Sequence, residues 1–320
     1  MQARARLPVL LAVAGLMALA SLETEAQIWP PDVPVADTEE TLDFDRPESW
    51  AMARLSTVTQ MSAMGTDPHK PSTGRLGMDL GFEAFWIPQL SEEQQRVGFN
   101  GQYEQNLDWS PVAGRIRATL RGRAGWFAEV GLSPPLLIGT LQPIFLDGSF
   151  GLRMDAVEGG RVQLRTHGRW GQLRGDILCP EEVVQDRDTA DNPLNCHGPS
   201  RDQIITNTIG LEVGGDYAVG RWHPHLATSL QYLRTEYNHG ARYHGDDDND
   251  DVDRTMDRRR LATDGVTWAL MGGVTFVPGW LDLPVTVEGS YTPLMVDRHE
   301  AGEERDGVFH LRILVRSRVM

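Results

Sequence analysis

Between Gly114 and Arg123 the chain reads GRIRATLRGR, so that Arg115, Arg117, Thr119, Arg121 and Arg123 alternate with Ile116, Ala118, Leu120 and Gly122. A period of two is the repeat of an extended strand, whose successive side chains point to opposite faces. One face here is almost entirely arginine and the other apolar or small. A soluble sheet fits this poorly, because its core face would be that short row alone; a strand with lipid outside and water inside fits it directly. The pattern returns at Arg161–Arg169, where Arg161, Gln163, Arg165, His167 and Arg169 alternate with Val162, Leu164, Thr166 and Gly168. It returns again near the C-terminus, where His310, Arg312, Arg316 and Arg318 interleave with Phe309, Leu311, Ile313, Val315 and Val319. Repeated alternation in segments of about ten residues predicts a transmembrane β-barrel.

The start of the chain predicts export. Met1–Ala20 reads as a signal peptide, with Arg4 and Arg6 ahead of an apolar run and a small-x-small site at Ala18–Ala20; Thr24–Ala26 is a second cleavage candidate. The apolar run is shorter than the roughly 20 residues of a membrane-spanning helix, and no later segment reaches that length. A mean hydropathy of −0.34 looks too polar for a membrane protein. Barrel strands, however, give only every second residue to lipid. The formal charge of −15 argues against a nucleic-acid partner. In an exported chain, Cys179 and Cys196 are most simply a disulfide, closing a loop for roughly 3 kcal/mol.

The expected organisation is a signal peptide over 1–20, an extended periplasmic segment over 27–45 and one all-β domain over 46–320. That domain is read as an up-and-down antiparallel barrel of about twelve strands, with ten to fourteen possible. The candidate strands are Trp50–Gln60, Arg75–Ile87, Arg96–Gln105, Gly114–Arg123, Trp126–Ile138, Ile144–Asp155, Arg161–Asp176, Ile204–Ala218, His223–Tyr237, Ala262–Val277, Leu283–Val296 and Val308–Val319. Arg96–Gln105 competes with a short helix, since Ser91 and Gln94 have capping-box spacing. With the C-terminus in the periplasm, the loops 179–201, 238–260 and 297–307 fall outside and the short turns inside, as bacterial barrels require. Trp86, Trp126, Trp222 and Trp280 stand at strand ends, where interfacial girdles form.

With signal, alternation, loop asymmetry and final strand in place, 50–320 resembles the outer-membrane β-barrel superfamily of double-membraned bacteria, and its size is similar to the twelve-stranded members. The resemblance implies a bacterial outer-membrane location, contact with membrane lipid and lipopolysaccharide, and insertion by the barrel-assembly machinery. In that superfamily the final strand usually ends in an aromatic residue; here it ends in Val319-Met320, with Phe309 the nearest lipid-face aromatic.

Function hinges on the interior. Arg115, Arg117, Arg121, Arg161, Arg165, Arg169, Arg312 and Arg316 are the candidate lumen-lining residues. As a ladder around water they would make a passive porin-like channel for small polar or anionic solutes. Paired with lumen acids such as Asp79, Glu83, Glu129, Asp147, Asp155, Glu212, Asp216 and Glu288, they would instead fill a non-conducting barrel that acts through its long loops. The channel is the leading expectation. Outer-membrane lipid hydrolases come last: they place a histidine and a serine typically two residues apart on one strand face, and no histidine here stands two before a serine. His225 and Ser229 share a face but lie about 13 Å apart along a strand. No enzyme and no cofactor is expected. The acidic loop around Asp246, Asp248 and Asp250 suits a hard cation, yet lacks the glycine and distal glutamate of an EF-hand, and a plainly solvated loop is the favoured alternative. Neighbouring Arg258–Arg260 would neutralise it or grip lipopolysaccharide phosphates.

Overall fold

A computed structural model describes residues 39–61, 76–97, 103–104, 112–133, 142–184, 196–243, 255–257, 260–278, 283–298 and 302–319. Ten strands form the wall: β1 (Gly77–Trp86), β2 (Val112–Arg121), β3 (Trp126–Ser133), β4 (Gln142–Val157), β5 (Gly160–Gly175), β6 (Asp202–Tyr217), β7 (Trp222–Asn238), β8 (Arg260–Phe276), β9 (Val285–Thr292) and β10 (Val308–Arg318). Each pairs antiparallel with the next, and β10 pairs with β1 over Leu311–Arg318 and Asp79–Trp86, closing the barrel. The short turns require left-handed backbone, supplied by Gly125, Gly159 and Gly220, which all have positive φ.

The strands alternate as expected. On β7, Trp222, Leu226, Leu230 and Tyr232 face outward and are exposed, while His223, His225, Ser229 and Gln231 between them, and Leu233 just beyond, are buried. From Trp222 to Tyr232 the strand rises roughly 33 Å, which a 40° tilt turns into a band about 25 Å tall. Arg221 and Arg234 flank it. At the turn rim Trp126 stacks on Phe150 and Trp222 packs on Phe276, with centroids 6.4 and 4.4 Å apart, making part of an aromatic girdle. Trp86 lies exposed at the loop end of β1, whereas Trp280 falls outside the described residues.

Two of the twelve expected strands are not in the wall. Trp50–Gln60 belongs to a helix, α1 (Pro47–Val58), that runs inside the barrel. Pro47 occupies a first-turn position and Glu48 favours the positive end of the helix dipole. Except for Glu48, every residue of α1 is buried, and a helix covered on all faces has no polar stripe to betray its period. The second segment, Arg96–Gln105, lies in the β1–β2 loop, where Arg96–Val97 and Tyr103–Glu104 pair only through Arg96 and Glu104. Just before it the capping-box geometry is realised: Ser91 N–H donates to Gln94 Oε1 at 3.1 Å and Gln94 N–H to Ser91 Oγ at 3.2 Å. Losing two strands together keeps the count even, so the assignment of loops and turns to opposite rims is unchanged.

Candidate functional site: the lumen and its outer rim

Seven of the expected lumen arginines, Arg115, Arg117, Arg121, Arg165, Arg169, Arg312 and Arg316, are buried inside the barrel, and Arg161 is half-buried near the turn rim. Most of them pair with carboxylates of the same lumen. Arg117 donates to Glu83 at 3.0 Å and to Glu129 at 3.1 Å. Arg165 donates to Glu129 at 2.9 Å and Glu212 at 2.6 Å. Arg169 reaches Asp147 at 2.9 Å, and Arg115 bridges Asp147 at 3.3 Å and Glu83 at 3.6 Å. Arg312 pairs with Glu288, which also meets His225 at 3.0 Å. Toward the turn rim Arg121 pairs with Asp79, and Arg161 grips Asp216 through two bonds of 2.9 and 3.2 Å. Asp155, expected among the lumen acids, is exposed on the protruding end of β4 instead. The mid-lumen is thus one connected lattice of alternating charge, as desolvated ions demand.

The lattice has a second ligand, the end of α1. A helix leaves its last four carbonyls without intrahelical donors and carries partial negative charge at that end. The last turn of α1 has no basic residue of its own. The wall supplies the cations, to the helix end and to the residues just beyond it: Arg169 donates to Ser56 O at 2.9 Å, Arg312 to Gln60 O at 2.8 Å and Arg165 to Met61 O at 3.2 Å. Arg115 and Arg169 both donate to Thr59 O. This is the physical reason for so many inward arginines. They neutralise lumen carboxylates and also cap a helix that the chain inserts among them.

Above this level the inner wall turns apolar. Trp50, Met52, Leu55 and Val58 of α1 pack in one cluster with Phe85, Phe145, Leu173, Ile204, Leu233 and Tyr237 of the wall, and with Leu294 and Val296 from the β9–β10 loop. Two polar side chains pin α1 sideways: Ser56 Oγ meets Thr206 and, at 3.0 Å, Thr235, while Trp50 Nε1 donates to Asp306 O at 3.0 Å. The signal for this was in the strands. The inward face of β5 passes from Arg165, His167 and Arg169 to Leu173, and that of β7 from His225 and Ser229 to Leu233 and Tyr237. Strand ends apolar on their inner face call for an apolar filler.

The structure also brings together a pair that strand spacing could not show. His167 Nε2 lies 2.9 Å from Ser229 Oγ, on strands separated by β6. The ring passes over Gly210, where a Cβ would come within 2.5 Å of Nε2. Gln60 Nε2 lies 3.3 Å from the other ring nitrogen. The two ring nitrogens of His167 thus face the Ser229 hydroxyl and the Gln60 amide. These groups line a cavity of about 10 Å³, room for one water.

The outer rim is built as firmly. Cys179 and Cys196 form a disulfide. Residues from two loops, Cys196–Gly198, Ala241–Tyr243 and Thr255–Asp257, share one small sheet. Asp202, at the loop end of β6 and well beyond the lipid-facing Ile209, ties the same loops: it accepts from Leu178 N–H at 2.7 Å, Ser200 Oγ at 2.6 Å and Gly240 N–H at 3.1 Å. Burial pushes its carboxyl up to about 6, against the pull of those hydrogen bonds. Arg298 joins two further loops, donating to Glu93 O at 2.9 Å and Arg96 O at 3.1 Å while pairing with Asp306. Asp246, Asp248, Asp250, Arg258 and Arg259 lie outside the described residues.

A closed antiparallel barrel with an apolar outer belt and a charged interior is a bacterial outer-membrane β-barrel. No family model and no curated protein matches the chain. Among solved structures it is similar to Neisserial surface protein A, at 9% identity and a TM-score of 0.29, over 75% of this chain and 95% of that one. It is similar to the outer-membrane protease OmpT from Escherichia coli, at 10% identity and a TM-score of 0.34, over 79% and 98%. The translocator domain of autotransporter NalP from Neisseria meningitidis matches at 9% identity and a TM-score of 0.38, over 75% and 86%. All three are outer-membrane barrels, and the likeness extends to that architecture alone.

Proposed function

We propose that this protein is a self-plugged, non-conducting outer-membrane barrel that works through its organised outer face, in place of the porin-like channel that the arginine pattern first suggests. The observation that carries this reading is the engagement of the Ser56, Thr59, Gln60 and Met61 carbonyls by four lumen arginines. Magnitudes argue that α1 is a fixture and not a gate. Burying Trp50, Met52, Leu55 and Val58 stabilises the plug by roughly 6–12 kcal/mol, comparable with the whole stability of an ordinary domain. Each arginine–carbonyl bond adds about 1.5–3 kcal/mol. Below α1, the ion pairs of Arg117, Arg121 and Arg161 obstruct the bore independently. A flux assay tests the proposal: proteoliposomes containing the refolded protein should swell in gluconate or arabinose no faster than empty vesicles. Swelling at porin-like rates would refute it.

A further inference from the structure

The direction in which the chain enters the barrel is fixed by described residues. Glu39–Thr41 adds to the wall as a short parallel strand, with Glu39 opposite Arg260 and Thr41 opposite Ala262. Those are the first residues of β8, on the rim that carries the long loops, and being parallel the segment runs inward from there. The β8 edge is open to it because the β8–β9 ladder stops at Leu270 and Tyr291, two residues before Pro293. Leu42 N–H donates to Ala262 O at 2.8 Å, and Phe44 lies over Gly265, where a Cβ would come within 2.5 Å of its ring. Contacts then deepen in order. Asp45 O accepts from Asp297 N–H in the β9–β10 loop; Ser56 meets Thr206 and Thr235, a few residues below the strand ends; Thr59, Gln60 and Met61 reach the mid-lumen arginines. Twelve helical residues rise about 18 Å, which matches this descent.

From this path we infer that Glu39–Asp45 lies on the outer surface of the cell, and that the barrel displays this N-terminal segment there instead of leaving it in the periplasm, where the sequence reading placed 27–45. Two alternative routes fail on physical grounds. A chain coming up from the periplasm would need a second pass through the lumen beside α1, across a level where Glu83, Arg115, Arg165 and Arg312 are buried to 2% exposure or less. A route outside the wall would drag extended backbone, with unpaired N–H and C=O groups, through hydrocarbon. The segment has therefore been carried outward through the barrel before α1 seats. It forms part of the working surface with the loops, and contributes exposed Glu40, Thr41 and Asp43 to it.

The inference rests on the long loops facing outward, and the test separates the two claims. With Cys179 and Cys196 oxidised, an introduced cysteine is the sole free thiol. Glu40→Cys, Asp297→Cys in an outer loop and Glu158→Cys in a turn all sit at exposed positions. A membrane-impermeant maleimide applied to intact cells should label Glu40→Cys as fully as Asp297→Cys, and Glu158→Cys only after the outer membrane is ruptured. Asp43→Cys repeats the measurement at a second exposed position. Labelling of Glu40→Cys and Asp43→Cys only after rupture, with Asp297→Cys still labelled on intact cells, would overturn the display of the segment while leaving the barrel's orientation standing. An exchange of the Asp297→Cys and Glu158→Cys results would overturn the orientation and the inference with it.

Discussion

Replacing Arg117 with methionine separates a charged lattice from a water-filled lumen by a wide margin. Arg117 holds Glu83 and Glu129 at 3.0 and 3.1 Å, and both carboxylates are buried. Methionine keeps most of the volume and removes the cation. Glu83 would retain Arg115 at 3.6 Å and Arg312 at 3.9 Å, and Glu129 would retain Arg165 at 2.9 Å, so neither acid is left wholly uncompensated. Removing one partner of a buried pair costs about 3–5 kcal/mol, and the remaining partners hold the expectation at the lower end, about 3 kcal/mol. Were Arg117 lining water, the same change would cost about 0–1 kcal/mol. Urea unfolding of the refolded barrel in phospholipid vesicles, followed by tryptophan fluorescence, reads the difference. Ile116→Arg, on the exposed outward face beside it, serves as a control that should lose about 2–4 kcal/mol through lipid and not through the lattice. An Arg117→Met barrel within 1 kcal/mol of the parent would refute the lattice.

Three further outcomes are expected. Gly210→Ala should push His167 away from Ser229 and cost about 1–3 kcal/mol by overpacking, read as a lowered urea midpoint, since the new Cβ also meets Leu230 O at 2.9 Å; an unchanged midpoint would contradict the close approach. Because the Asp202 carboxyl is raised to about 6 from an ordinary value of 3.8, the folded state binds its proton more tightly. Stability from this group is complete below about pH 4 and lost as pH rises through 6, so Asp202→Asn should flatten that part of the stability–pH curve, and a curve of unchanged slope would refute it. Cys179 and Cys196 should resist thiol labelling until reduced, and reduction should lower stability by roughly 3 kcal/mol, whereas labelling of both native thiols without reductant would contradict the disulfide.

Strands were legible wherever one face met lipid and the other met charge, since Arg115, Arg165 or Arg312 beside Ile116, Leu164 or Ile313 leaves little choice of period. The disulfide was legible from two cysteines in an exported chain. Helix α1 was not, because it is buried on every side and its residues, with Trp50, Met52 and Val58 spaced among small ones, satisfy a strand reading as well as a helical one. That single misreading hid an occupant of the lumen: with the filler counted as wall, its carbonyls were missing from the arginines' partners. The Ser229–His167 contact was invisible for another reason. It joins strands two apart across a glycine, a relation set by register and not by spacing.

Whether the barrel is closed by its own chain is tested most directly by single-channel recording of the refolded protein in a planar bilayer. No steps above baseline are expected over a range of voltages and salts, because the bore is filled by α1 and the Thr59–Gln60 segment that follows it, and beneath them by the Arg117, Glu83 and Glu129 lattice. A stable, ohmic, anion-preferring conductance from the intact protein would contradict that expectation and return the arginines to the role of a selectivity ladder.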